Sequence, residues 1–169
     1  MKTVITYGTF DLFHVGHLRL LQRAKSLGDR LIVAVSTDDF NSIKGKKSII
    51  PFEQRAEIVS NVKCVDLVIP EISWEQKLED IKKYGVDIFV MGDDWKGKFD
   101  NLREYCQVVY LPRTEGISSS QIRETLSHIS KLSTTDLKKA LEILSSVDFL
   151  SIKEALDILN ELKNTLFDN

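Results

Sequence analysis

The chain has 169 residues, 43% of them hydrophobic and 28% charged, with 23 basic side chains against 25 acidic ones. That is the composition of a soluble globular protein with room for one core and an appendage. It offers no basic excess for nucleic acid and no apolar run approaching a membrane span. Residues 1–129 carry 18 charges of each sign, so the acidic excess lies in the tail. Two distant cysteines, Cys64 and Cys106, make no disulfide framework and suggest a reducing cytoplasm. The first strand pattern starts at residue 3, so no leader segment is expected.

Residues 3–7 read as a buried strand. Gly8-Thr9-Phe10-Asp11-Leu12-Phe13-His14-Val15-Gly16-His17 follows, and then Leu18, Leu21, Ala24 and Leu27 recur at helical spacing. This predicts a helix over 16–27, ended by Gly28. His14 and His17 share one face at its start. There the free N–H groups and the positive end of the helix dipole suit phosphate. Gly16 is expected to leave room between the rings for a ligand. A zinc site is disfavoured, because four ligands are needed and only His128 and the two cysteines remain.

The following elements are strands at 31–36, 66–70, 87–91 and 107–111, and helices at 52–62, 74–84, 97–105 (a short piece) and 118–128. Continuous apolar runs such as Leu31-Ile32-Val33-Ala34-Val35 suit strands covered on both faces. Alternation with helices argues an α/β fold, a doubly wound five-stranded parallel sheet. Ligands bind such sheets beyond the carboxyl ends of the strands. Gly8–His17, Ser36–Asp39, Gly92–Trp95 and Arg113-Thr114 all fall there. Residues 41–50 form a basic loop, read as a flap over phosphates, and Pro51 opens the next helix. Arg113-Thr114-Glu115-Gly116-Ile117-Ser118-Ser119-Ser120 gathers hydroxyls and an arginine fork at a helix start capped by Ser118 and Gln121, a second anion site. Beyond residue 130 two amphipathic patterns, one with Leu137, Ala140, Leu141 and Leu144 and one with Ile152, Ala155, Leu156, Leu159, Leu162 and Leu166, predict a C-terminal helical hairpin. The expected division is 1–129 and 130–169.

Gly8-x-Phe10-Asp11-x-x-His14-x-Gly16-His17 resembles the signature of nucleotidyltransferases with a Rossmann-like fold, which implies attack on the α-phosphate of a nucleoside triphosphate. Arg113–Ser119 resembles the Arg-Thr-x-Gly-Ile-Ser-Thr signature of the cytidylyltransferases. With Trp74-Glu75-Gln76-Lys77 and Asp87–Trp95, residues 2–128 are similar to the bacterial glycerol-3-phosphate cytidylyltransferases. The resemblance implies synthesis of CDP-glycerol and pyrophosphate from CTP and sn-glycerol 3-phosphate, for wall teichoic acid or capsule, by a homodimer. It implies that His14, His17, Lys44, Lys46 and Arg113 carry catalysis. Thr9 and Phe10 would line the nucleotide turn, Lys44 and Lys46 cover the triphosphate, and Asp94, Arg113, Thr114, Ile117, Ser118 and Ser119 surround the nucleotide. Asp11, Asp38, Arg55, Asp66, Trp74 and Lys77 match positions tied to the acceptor pocket, the fold or activity. Arg55 and Lys77 are also candidate partners for the acceptor phosphate on charge alone. Lys63 stands where relatives often have arginine, and a lysine loses the bidentate fork. Magnesium is expected to travel with the triphosphate, with Asp11 or Asp94 touching it through water. Two other readings are open: a cytidylyltransferase for another polyol phosphate or phosphoethanolamine, and a non-catalytic nucleotide-binding assembly module.

Overall fold

The computed structural model describes residues 1–131 together with 138, 139, 142, 153 and 157–159. The chain divides into two compact units, Met1–Arg123 and Glu124–Asn169. In the second, the described residues are helical. Most of the expected hairpin lies outside the described residues.

The first unit runs β1 (Thr3–Gly8), α1 (Val15–Lys25), β2 (Arg30–Ser36), α2 (Asp38–Ile43), α3 (Phe52–Ser60), β3 (Leu67–Glu71), α4 (Gln76–Tyr84), β4 (Ile88–Gly92), two short 3-10 turns (Asp93–Trp95 and Asp100–Glu104) and β5 (Gln107–Leu111). α5 (Ser119–Lys131) begins in this unit. The strands form one sheet in the order β3-β2-β1-β4-β5, every pair parallel. The order reverses between β1 and β4, the crevice where such sheets take ligands.

Strand alternation splits the core in two. Ile5, Tyr7, Ile32, Ala34, Phe89 and Met91 pack on one face with Ile81 of α4. Val4, Leu31, Val33, Val35, Ile88 and Val90 pack on the other with Leu21 and Ala24 of α1 and Val59 of α3. The apolar runs are thus covered twice, as a parallel sheet requires.

Three local expectations are corrected. α2 stands where only the start of a loop was expected. Thr37 caps it, accepting from the Phe40 N–H, and Asp38 and Asp39 complement its dipole. Gly28 does not end α1, which closes at Lys25. A Cβ on Gly28 would sit 2.8 Å from the Lys2 carbonyl oxygen and 2.7 Å from Val4 Cγ2, so the glycine admits β1 to the turn. Gly16 leaves room for His14 rather than for a ligand: a Cβ there would lie 2.8 Å from His14 Cε1.

Candidate active site

The turn after β1 builds the centre of the site. Phe10 and Leu12 hold φ values of 52° and 50°, a left-handed conformation that costs non-glycine residues of order 1 kcal/mol each or more. The strain is offset by burial of the Phe10 ring and by Asp11. Asp11 is 1% exposed. It accepts N–H bonds from Leu12, Ile49 and Ile50 and pairs with Arg123 at 2.6 Å. Its carboxyl is held below the usual range: burial opposes ionisation, but the Ile49 and Ile50 N–H groups and Arg123 together outweigh it.

His14 caps α1. Its Nδ1 accepts from the Gly16 N–H at 3.1 Å, and His17 Nδ1 accepts from the His14 N–H at 3.4 Å. The rings stack with centroids 3.9 Å apart, and Phe10 and Phe13 flank His17. A ring nitrogen that accepts carries no proton, so in each neutral ring the proton is on Nε2. His14 Nε2 lies 3.3 Å from Ser119 Oγ, whose own proton goes to the Asp11 carbonyl. Burial lowers the His14 pKa. Burial, then the charge of His14, lowers that of His17 to about 4, against a smaller opposite pull from Asp11. Both rings are therefore neutral Nε2–H donors at pH 7.

Around this pair opens a cavity of about 530 Å³, within the range of small-molecule sites. Ten of the expected residues line it: Thr9, Phe10, His14, His17, Asp94, Arg113, Thr114, Ile117, Ser118 and Ser119. Arg113 lies 3.9 Å from Asp94. Asp94 lies against Gly92, its Oδ1 2.5 Å from where a Cβ would stand, so a side chain there would turn the Asp94 carboxylate aside. Ser118 Oγ accepts from the Gln121 N–H at the start of α5. Arg23, which sequence reasoning missed, also lines the cavity and donates to the Pro112 carbonyl.

A smaller cavity of about 140 Å³ adjoins it, and Tyr7, Gly8, Thr9, Met91 and Trp95 line both. Lys44, Lys46, Glu71, Trp74 and Lys77 complete the second. Glu71 ends β3 and is 3% exposed. It holds Lys77 at 2.6 Å and Lys44 at 3.5 Å. Lys77 Nζ also lies over the Tyr7 and Trp74 rings, and Lys44 Nζ over Phe40. Burial lowers the Lys44 pKa, assisted by Lys46 and Lys77 and opposed by Glu71. Tyr7 donates to buried Asp80 at 2.8 Å; burial, then Asp80, drives its phenol far up and keeps it protonated. Lys44 and Lys46, expected to cover the triphosphate, line the smaller cavity, where Glu71 holds Lys44 and Lys46 Nζ lies 6.0 Å from the Trp95 ring centroid.

Five expected site residues line neither cavity. Arg55 is 1% exposed. Its guanidinium donates to the Ile50, Thr9 and Ser36 carbonyls and to Asp38, at 2.6–2.9 Å. That accounts for Asp38 as well, which also accepts the Phe52 N–H. Asp11 is saturated, which removes it as a water-mediated metal partner. Asp66 accepts from Lys25 and from the Leu31 N–H, at the amino ends of the strands and so opposite the site. Lys63 is exposed in the segment entering that same edge. Glu71, Tyr7 and Met91 were missed, and Trp95 was placed at the ligand end only as part of Gly92–Trp95, with no role of its own; all four stand at or just past carboxyl ends of strands. Asn41 was missed too: buried in α2, it accepts from Ser36 Oγ and donates to Ser48 Oγ, tying the basic loop down.

Among the described residues no group of three or more His, Cys, Asp or Glu converges as a metal cage, and no helix is long and apolar enough to cross a membrane. A magnesium ion carried by a triphosphate needs no such cage, only one or two carboxylates. Asp94, about half exposed on the larger cavity, and Glu115 on the same wall are suited to that.

The family model for cytidylyltransferase-like proteins matches residues 5–125. The chain is 60% identical over 129 residues to the glycerol-3-phosphate cytidylyltransferase of Bacillus spizizenii, covering 76% of this chain and all of that one. It is 57% identical over 126 residues to the enzyme of the same name from Staphylococcus aureus, covering 75% of this chain and 96% of that one. Among solved structures, the lipopolysaccharide core biosynthesis protein from Thermoplasma volcanium superposes with a TM-score of 0.60 at 28% identity, over 68% of this chain and 99% of that one.

Proposed function

Since the chain belongs to the cytidylyltransferase-like family, we propose that it transfers a cytidylyl group from CTP to sn-glycerol 3-phosphate, giving CDP-glycerol and pyrophosphate. The observation that carries this reading is the pair of cavities with a common wall. One presents two imidazole Nε2–H donors, Arg113 and a helix start; the other presents three lysines against one glutamate. The formal balance of the smaller one is two positive charges, the complement of a phosphomonoester dianion. The 57–60% identity to glycerol-3-phosphate cytidylyltransferases supports the choice of substrates.

An oxygen of the acceptor phosphate attacks the α-phosphorus of CTP in line. The new P–O bond forms as the bond to the bridging oxygen breaks, and pyrophosphate leaves with that electron pair. The attacking oxygen is already ionised at neutral pH, so no general base is needed. Positioning and charge stabilisation supply the catalysis. His14 and His17 donate from Nε2 to phosphate oxygens, and Arg113 with the α5 start takes the outer phosphates. Lys44 and Lys46 serve the acceptor side of the common wall. Magnesium, held by the triphosphate with Asp94 or Glu115 near, would shield the phosphate charge. The reading includes a cytoplasmic homodimer supplying wall teichoic acid or capsule synthesis, its stoichiometry measurable by light scattering.

Pyrophosphate release with magnesium, CTP and sn-glycerol 3-phosphate tests the proposal, against ATP and a panel of phosphorylated acceptors. Release requiring both CTP and glycerol 3-phosphate is expected. Release with CTP and a different acceptor overturns the substrate, and none with any acceptor overturns the enzyme reading.

A further inference from the structure

The smaller cavity has a chemistry that a phosphate site alone does not require. Its lysines are donors only. A phosphate with a short polyol chain brings hydroxyl hydrogens that need acceptors. Among the described residues Glu71 is the one carboxylate on the cavity wall, and its two oxygens offer about four lone-pair positions. Lys77 takes one oxygen at 2.6 Å and Lys44 approaches the other at 3.5 Å, which leaves acceptor capacity on both. The aromatic faces of Tyr7, Trp74 and Phe40 back the two ammonium groups, so the triad is held in place before a ligand arrives.

Building on the proposed acceptor, we propose that Glu71 is a specificity-determining residue that reads the hydroxyl-bearing end of the phosphomonoester, accepting hydroxyl hydrogens while the lysines donate. The flanking lysines leave the triad formally positive. It therefore favours a neutral hydroxyl over an ammonium group, and so a polyol phosphate over phosphoethanolamine. A hydroxyl that loses its buried acceptor is heavily penalised, whereas an acceptor molecule lacking the hydroxyl leaves the carboxylate underused.

The test compares sn-glycerol 3-phosphate with n-propyl phosphate, which keeps the charge and chain length and lacks both hydroxyls, in the full-length wild type and in Glu71→Gln. Two readouts are used: kcat/KM for pyrophosphate release, and quenching of tryptophan fluorescence on titration. The chain's two tryptophans, Trp74 and Trp95, both line this cavity. The wild type is expected to prefer glycerol 3-phosphate at least thirtyfold, and Glu71→Gln to reduce that preference at least tenfold. A purely structural role would lower both substrates equally and leave the ratio alone. An unchanged ratio in Glu71→Gln overturns the proposal, as does wild-type use of phosphoethanolamine as efficient as that of glycerol 3-phosphate. Should Glu71→Gln not fold, Glu71→Asp decides, since it keeps the charge but shortens the reach. A ratio at least threefold smaller is expected, and an unchanged one overturns the role. Absence of wild-type turnover together with hydroxyl-dependent quenching that Glu71→Gln or Glu71→Asp abolishes would overturn the enzyme reading and leave Glu71's role standing. Absence of any quenching by either phosphate overturns Glu71's role.

Discussion

Replacing Arg55 with lysine separates a residue that binds phosphate from one that builds the site. Lysine keeps the positive charge, so a role as a counter-charge for the acceptor would survive in large part. The structure makes Arg55 a buried brace instead. Its guanidinium joins the turn after β1 through the Thr9 carbonyl, the end of β2 through Ser36, the end of the basic loop through Ile50, and α2 through Asp38. An ammonium donates from a single point and keeps one or two of the four bonds. Losing even two such charge-assisted bonds, at about 1.5–3 kcal/mol each, costs about 3–6 kcal/mol. That is a large share of the total of roughly 5–15 kcal/mol, and at about 3–4 °C per kcal/mol it lowers Tm by about 9–24 °C. Differential scanning calorimetry measures this directly. At a temperature where the variant is folded, KM for CTP and for acceptor should rise together, because Thr9 lines both cavities. A Tm within about 2 °C of wild type, with KM raised for the acceptor alone, would refute the reasoning and return Arg55 to the acceptor phosphate.

His17→Ala should lower kcat by about 10²–10³, the usual cost of one transition-state donor, with nucleotide binding by calorimetry largely kept; equal activity in the variant removes the role. The pKa of His17 is about 4, below its ordinary 6.5, so the unfolded chain binds the extra proton first. Its contribution to stability is whole above pH 6.5 and is lost as pH falls toward 4, by up to about 3 kcal/mol at 1.4 kcal/mol per unit. Urea midpoints at pH 7.5 and 4.5 should show this slope reduced in His17→Gln. Asp11, whose pKa is lowered, has the usual carboxylate sign: its contribution is present above its unfolded value and lost only at lower pH. Gly28→Ala should cost about 1–3 kcal/mol by overpacking against β1, read from thermal melts, with kcat unchanged because the turn lies at the amino edge of the sheet.

The elements and residues legible in the sequence were those whose cause is local. Five apolar runs became five parallel strands because a doubly covered strand must be apolar throughout. The two histidines and the residues from Arg113 to Ser119 came to one cavity because each motif directly follows a strand end. α2 was harder: six residues with Phe40 as their one buried apolar side chain give no helical period, and only Thr37-Asp38-Asp39 marked its start. Charge was misleading in a specific way. Asp11, Asp38 and Arg55 look like ligand-binding residues, but their charge is spent inside the protein: Asp11 on N–H groups and Arg123, Arg55 on carbonyls and Asp38. Glu71 was the reverse case. As a lone acidic residue ending a strand it carried no motif, and it acquires meaning only where Lys44 arrives from the end of α2 and Lys77 from α4. A motif reports chemistry assembled within one stretch of chain. The charged triad of the smaller cavity is assembled from three separate elements around one buried carboxylate, so its selectivity is written in the topology.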